Sequence, residues 1–144
     1  MTRTPGSPLT TTAQQLVDEA NSRITTLTRD EVLPLLDDPG TLLVDIRDVR
    51  ELEREGTIPG AKHAPRGMLE FWVDPDSPYF KPVFGEPKRF ILYCQSAWRS
   101  ALATAALQDM GMDNVAHVEG GFTEWKKQGA PIESYEAHRA RRAS

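Results

Sequence analysis

Arg89-Phe90-Ile91-Leu92-Tyr93-Cys94-Gln95-Ser96-Ala97-Trp98-Arg99-Ser100-Ala101 is the stretch on which the fold turns. Phe90 to Tyr93 is an unbroken apolar run, the pattern of a strand buried on both faces. A short polar loop opens on Cys94, and the alanine-rich run Ala101 to Leu107 then reads as a helix. A strand, a tight loop and an immediate helix make an anion-binding cup. The first amides of a helix have no intrahelical partner, and the dipole is positive there. The same field favours a thiolate over a thiol. A free cysteine titrates near ~8.5, whereas one at a helix N-terminus or beside Arg falls to roughly 3.5–7.5. Arg99 lies five positions after Cys94 and supplies fixed charge, with Ser100 next. A loop of Gln95, Ser96, Ala97 and Trp98 this tight is expected to converge several main-chain amides on the sulfur, with no histidine base required. The plainer alternative is a buried strand-end cysteine packed as a small hydrophobe.

Outward from this junction, strands and helices alternate. Downstream, the pattern predicts a helix over Arg99–Met110 stopped by Gly111, a strand over Asn114–Val118, and a helix over Gly121–Gln128 stopped by Gly129. Upstream, Leu42, Leu43 and Val44 form another apolar strand, and the charged run from Arg47 to Gly56 reads as an exposed helix. Ile58-Pro59-Gly60 turns the chain into a brief strand, Ala61 to Ala64, with a helical turn over 66–74. From Asp74 to Pro87, Pro75, Pro78, Pro82 and Pro87 interleave with Tyr79, Phe80 and Phe84 in a long irregular loop. This order implies an α/β fold with a mostly parallel central sheet, whose ligands bind beyond the carboxyl ends of the strands. Before it, residues 1–10 read as disordered. Thr12 and Gln15 form a capping box for a short amphipathic helix through Ala13, Leu16, Val17 and Ala20, and Arg23 to Leu27 is a weak strand. A second capping box, Thr28 with Glu31, opens a helix that Pro34 disturbs. The chain divides into an N-terminal segment (1–22), the α/β domain (23–133) and a basic tail (134–144) carrying Arg139, Arg141 and Arg142, which reads as solvated.

At 144 residues with net charge −4, the chain is one domain with no sign of a nucleic-acid surface. One cysteine forms no internal disulfide, so a reducing, cytoplasmic setting is expected. Neither a secretory signal nor a membrane span is evident. His63, His117 and His138 lack metal-ligand spacing, and Gly120-Gly121 is a turn rather than a nucleotide loop, so no metal and no cofactor is expected.

Other residues carry two open readings each. Asp45 and Arg47 end the second strand on the same rim as Cys94. They could orient the active loop or hold a substrate anion; alternatively Asp45 caps the next helix and Arg47 pairs on the surface. Glu51 could fix the Arg99 guanidinium or lie on a solvated helix face. Arg66 could attract an anionic donor or be an ordinary surface arginine. Trp98 walls the pocket or packs beneath the next element. Phe71, Trp72, Tyr79, Phe80 and Phe84 form either a lid or a satellite apolar cluster.

These segments together resemble the single-domain rhodaneses, a sulfurtransferase family. Besides the Cys94–Ser100 loop, Leu43-Val44-Asp45-Ile46-Arg47 with Arg50-Glu51, Gly56-Thr57-Ile58-Pro59-Gly60-Ala61, and Val118-Glu119-Gly120-Gly121-Phe122-Thr123-Glu124-Trp125 match the family's signatures in order. The resemblance spans about residues 23–133. It implies a rhodanese-like three-layer domain with helices on both sheet faces. It also implies a Cys94 persulfide that takes sulfur from a small sulfur-containing anion such as thiosulfate and yields it to cyanide or a thiol. No cofactor, nucleic acid or membrane is implied; a sulfur-relay protein is a further partner compatible with it. Thr57 stands where the family usually has histidine, a position that reads as structural. In the family a six-residue loop goes with sulfur and a seven-residue loop with phosphate or arsenate. Because Arg99 closes the shorter one, a phosphatase or arsenate reductase ranks behind. A non-catalytic binding module is the alternative from another class, and a sulfur carrier or redox sensor would use the same residues.

Overall fold

The computed structural model describes residues 2–143. Its centre is a five-stranded sheet in the order β1-β5-β4-β2-β3, parallel throughout: β1 (Thr26–Leu27), β2 (Thr41–Asp45), β3 (Lys62–His63), β4 (Arg89–Tyr93) and β5 (Val115–Val118). The quoted apolar run is the middle strand, and its period-two alternation divides the core. Phe90 and Leu92 face one side, with Ala103 and Leu107 of α5 (Trp98–Asp109) and Leu69 and Val73 of α4 (Leu69–Val73). Ile91 and Tyr93 face the other, with Val32 of α2 (Arg29–Val32) and Phe122 and Trp125 of α6 (Gly121–Lys127). Helices thus cover both faces. All four β4 apolar side chains are fully buried, each stabilising by about 1.5–3 kcal/mol.

The capping boxes form as expected. Thr12 accepts from Gln15 N at the start of α1 (Ala13–Asn21), and Thr28 accepts from Glu31 N at the start of α2. Val17 and Ala20 of α1 pack on Ala101 and Ala105 of α5. Pro34 does not abolish its helix; the chain tightens into a 3₁₀ turn, Leu33–Leu35, with the proline in its first turn where the missing donor costs nothing. Residues 2–10 contain a turn closed by Ser7 N to Thr4 O and no helix or strand.

The C-terminal stretch keeps Arg139 and Arg141 exposed, as expected, but is not a loose tail. Tyr135–Ala143 is a helix, α7, that packs on α3 (Val49–Glu55). The physical reason is local anchoring: Thr57 and Glu133 exchange antiparallel main-chain bonds of 2.9 and 2.8 Å, and His138 is buried one turn later. The Arg142 side chain lies outside the described residues. Among those described, no helix is long and apolar enough to cross a membrane.

Candidate active site

Cys94 leaves the carboxyl end of the central strand, and its residue is only 1% exposed. Its stem lies in the apolar cluster with Val44, Ile46 and Ala103, while its sulfur meets polar groups of α5. The Ser100 amide donates to Sγ at 3.3 Å, and Sγ lies 3.6 Å from Ser100 Oγ. Ser100 is the third residue of α5, so the sulfur receives one of the amides a helix start leaves unpartnered, at the positive end of its dipole. The expected ring of amides is therefore narrower: among the described residues, Ser100 supplies the main-chain hydrogen bond on the sulfur. The reason is that Cys94 stays on the apolar face of the sheet, where the first turn of α5 meets it. Ala97 makes the reversal with φ of 71° and precedes Trp98, the first helical residue.

Arg99 closes the loop without floating in solvent. Its guanidinium grips Glu51 with two bonds of 2.9 and 2.8 Å. Glu51 in turn accepts from Asp48 N at 2.9 Å, as the far member of the α3 capping box. The hydrogen bonds to Glu51 hold the Arg99 pKa above its ordinary value, with Cys94 a lesser contributor, and Arg99 holds Glu51 below its own. The pairing reading of Glu51 holds.

Asp45 and Arg47 are both completely buried. Arg47 Nη2 donates to Asp45 Oδ2 at 2.8 Å, and Nε donates to Oδ1 at 3.0 Å. Nη1 reaches Gln95 Oε1 at 3.0 Å, Nη2 reaches Gly56 O at 2.7 Å, and the guanidinium lies 4.1 Å over the Phe122 ring. Burial opposes the Arg47 charge, but the Asp45 hydrogen bonds and attraction leave its pKa raised. The helix cap is Asp48, not Asp45, and Arg47 is not on the surface. Nor does so enclosed an arginine offer charge to a substrate. It is an internal strut that orients the loop through Gln95. Thr57 joins the same network, donating to Asp45 Oδ2 at 2.8 Å and lying 2.6 Å from Tyr93 Oη, which confirms its structural place.

The loop is clamped from beneath by the start of α6. Phe122 N donates to Cys94 O at 2.8 Å, Thr123 N to Gln95 O at 3.0 Å, and Gln95 Nε2 to Thr123 Oγ1 at 3.0 Å. Gly121 lies so close that a Cβ there would fall 2.7 Å from both carbonyl oxygens.

His117 is the contact sequence reasoning missed. It is 2% exposed; Nδ1 lies 2.9 Å from Ser100 Oγ and Nε2 3.1 Å from Thr26 Oγ1. Burial lowers its pKa to about 4, so the ring is neutral at pH 7. No local spacing signals this contact, because Thr26, Ser100 and His117 come from three separate elements.

The remaining candidates divide. Arg66 pairs with Glu70 at 2.7 Å, consistent with the surface reading. Trp98 does not pack beneath another element; it is 46% exposed and, with Ser96 and Ala97, walls a cleft of about 380 Å³ beside α1. Phe84 packs on Phe90 with ring centres 5.4 Å apart and Trp72 packs against the same cluster, while Phe71 and Tyr79 form an exposed edge-to-face pair at 6.4 Å. Among the described residues, no group of three or more His, Cys, Asp or Glu is placed to hold a metal.

Comparison with known proteins agrees with this geometry. The sequence model of the rhodanese-like domain family matches residues 28–128. A tRNA uridine(34) hydroxylase of Yersinia enterocolitica is 34% identical in an alignment 114 residues long that covers 74% of this chain but 31% of that protein. The chain thus spans under a third of the curated relatives it matches first. A Rhodopseudomonas palustris protein described as a possible tyrosine phosphatase is 49% identical with a TM-score of 0.85, covering 90% of this chain and all of the other. The polysulfide-sulfur transferase homodimer of Wolinella succinogenes is 28% identical with a TM-score of 0.63, covering 85% and 87%.

Proposed function

The chain belongs to the rhodanese-like domain family, and from that premise we propose that it is a sulfurtransferase working through a persulfide on Cys94. The observation that carries this reading is the Cys94 sulfur set on the first turn of α5, inside a six-residue loop whose closing Arg99 is fixed by Glu51. In the first half-reaction the Cys94 thiolate attacks the outer sulfur of thiosulfate. A new S–S bond forms, the donor S–S bond breaks, and sulfite departs with the electron pair. In the second, cyanide or a thiolate attacks the terminal sulfur, the persulfide bond breaks, and the Cys94 thiolate is restored. Each half balances without an external oxidant or reductant, which is covalent catalysis of the ping-pong kind. Arg99, 42% exposed at its side chain, attracts the donor anion, and the helix-start amide stabilises the thiolate.

A phosphatase reading draws on the description given to the Rhodopseudomonas relative. Against it stands the loop length: Arg99 is the fifth residue after Cys94, and the sixth is Ser100, which leaves less room for a tetrahedral phosphate. The hydroxylation named for the Yersinia protein belongs to a chain more than three times longer than the shared segment. Steady-state assays separate these readings. Thiosulfate and cyanide varied together should give parallel reciprocal plots and thiocyanate, with Cys94→Ser folded and inactive. Hydrolysis of an aryl phosphate with no thiocyanate formed would replace the proposal with the phosphatase.

A further inference from the structure

The Cys94 sulfur is enclosed, yet its proton must leave before it can attack. The described surroundings offer it a continuous path. From Sγ, Ser100 Oγ is 3.6 Å away; from Ser100 Oγ, His117 Nδ1 is 2.9 Å; from His117 Nε2, Thr26 Oγ1 is 3.1 Å. Ser100 is completely buried and His117 nearly so, whereas Thr26 is exposed on the short edge strand β1. The path therefore runs from the buried sulfur to the surface through groups that each both donate and accept.

We infer that Ser100, His117 and Thr26 form a two-state hydrogen-bond relay that carries the Cys94 proton to solvent and leaves the Ser100 hydroxyl donating to the thiolate. In the thiol state, Sγ–H donates to Ser100 Oγ, Ser100 O–H donates to Nδ1, and Nε2–H donates to Thr26 Oγ1. When the sulfur ionises, Ser100 takes its proton and passes its own to Nδ1 as Nε2 releases a proton through Thr26 to water, so that no imidazolium forms. In the final state Nδ1–H donates to Ser100 Oγ, Ser100 O–H donates to the sulfur, and the Thr26 hydroxyl donates to Nε2. One proton leaves the protein, and the ring begins and ends neutral.

The relay is favoured by more than its distances. Every buried polar atom in it is satisfied in both states, so neither state incurs the about 1–3 kcal/mol of an unpaired buried group. Burial also disfavours the imidazolium, so a tautomer exchange suits this ring better than holding a charge. The other titratable groups lining the cleft at its outer end are Asp18 of α1 and Glu119 beyond β5. His117 and Ser100 are thus positioning residues that act through Cys94. The inference rests on Cys94 being the reactive thiolate of the proposed function.

The test uses the whole chain and its lone cysteine. Thiolate absorbance in the ultraviolet is titrated against a Cys94→Ser background, and persulfide formation from thiosulfate is timed in parallel. Ser100→Ala and His117→Phe should each raise the thiolate midpoint by about one pH unit, a tenfold loss of thiolate at fixed pH. Their persulfide rates should fall about tenfold below the midpoint and return to the unaltered rate above it, which a merely structural defect would not do. Thr26→Val touches only an exposed side chain that bonds Nε2 in both states, so it should leave the midpoint in place and slow thiolate formation after a pH jump about threefold. An unchanged midpoint in Ser100→Ala, or an unchanged pH-jump rate in Thr26→Val, overturns the relay even if His117→Phe fails to fold. Shifted midpoints in a protein that takes no sulfur from thiosulfate would uphold the relay and sink the sulfurtransferase; normal sulfur uptake with unshifted midpoints would do the reverse.

Discussion

Replacing Gly121 by alanine should pull the active loop off its support, and the size of the effect follows from three distances. Gly121 has φ of +64°, and an added Cβ would lie 2.7 Å from Cys94 O, 2.7 Å from Gln95 O and 2.8 Å from Gln95 C. The left-handed backbone alone costs an L-residue about 1–2 kcal/mol, partly offset by the roughly 0.5–1 kcal/mol that alanine saves in the unfolded chain. Ordinary contact begins near 3.4 Å, so the two carbonyls must retreat by about 0.7 Å. They are the acceptors of Phe122 N at 2.8 Å and Thr123 N at 3.0 Å, and that retreat takes the first bond to the limit of hydrogen bonding and the second past it. Losing two such bonds adds about 2 kcal/mol, for a total near ~3 kcal/mol. Gly60→Ala is the control, because Gly60 has φ of +84° and nothing within 4 Å of an added Cβ. Urea unfolding of both variants isolates the contact: Gly121→Ala should cost about 2 kcal/mol more than Gly60→Ala and also abolish most sulfur transfer. Equal losses in the two variants would refute the idea that α6 holds the Cys94 loop from below.

Three other outcomes follow from the same geometry. Ala97→Gly removes the left-handed strain at φ of 71° and should stabilise the fold by about 0.5–1 kcal/mol in urea unfolding, with a looser loop and lower turnover. Glu51→Gln, which loosens both bonds on Arg99, should reduce thiosulfate turnover roughly tenfold, mainly through KM, and added salt should not restore it. His117 is buried neutral with its pKa lowered to about 4, so its contribution is complete above the unfolded value of ~6.5 and is lost as pH falls toward 4. Unfolding stability should drop by about 2 kcal/mol between pH 7 and pH 5, a slope that His117→Phe removes.

The framework was legible because its signals are local. The apolar run ends at Tyr93 where β4 ends, and both threonine capping boxes start the helices they announce. Cys94 at the strand end and Arg99 at the helix start follow from chain order alone. What the sequence hid depends on packing between distant elements. Nothing in Asp45-Ile46-Arg47 says that the ion pair is sealed in, because enclosure comes from Phe122, Tyr93 and Gly56, which lie elsewhere in the chain. His117 sits in a short apolar strand and shows in the sequence only as a histidine without metal-ligand spacing, until α5 brings Ser100 to it. The basic run after Ser134 reads as solvated because its arginines dominate the composition, yet the Thr57–Glu133 pairing fixes where it starts and lets it fold back as a helix on α3.

In the proposed reaction Cys94 carries sulfane sulfur as a covalent intermediate. Intact mass spectrometry after incubation with thiosulfate tests it most directly. A persulfide on Cys94 should add one sulfur atom, which cyanide removes and Cys94→Ser never shows. An unchanged mass in the wild-type protein, or the same gain in Cys94→Ser, would contradict it.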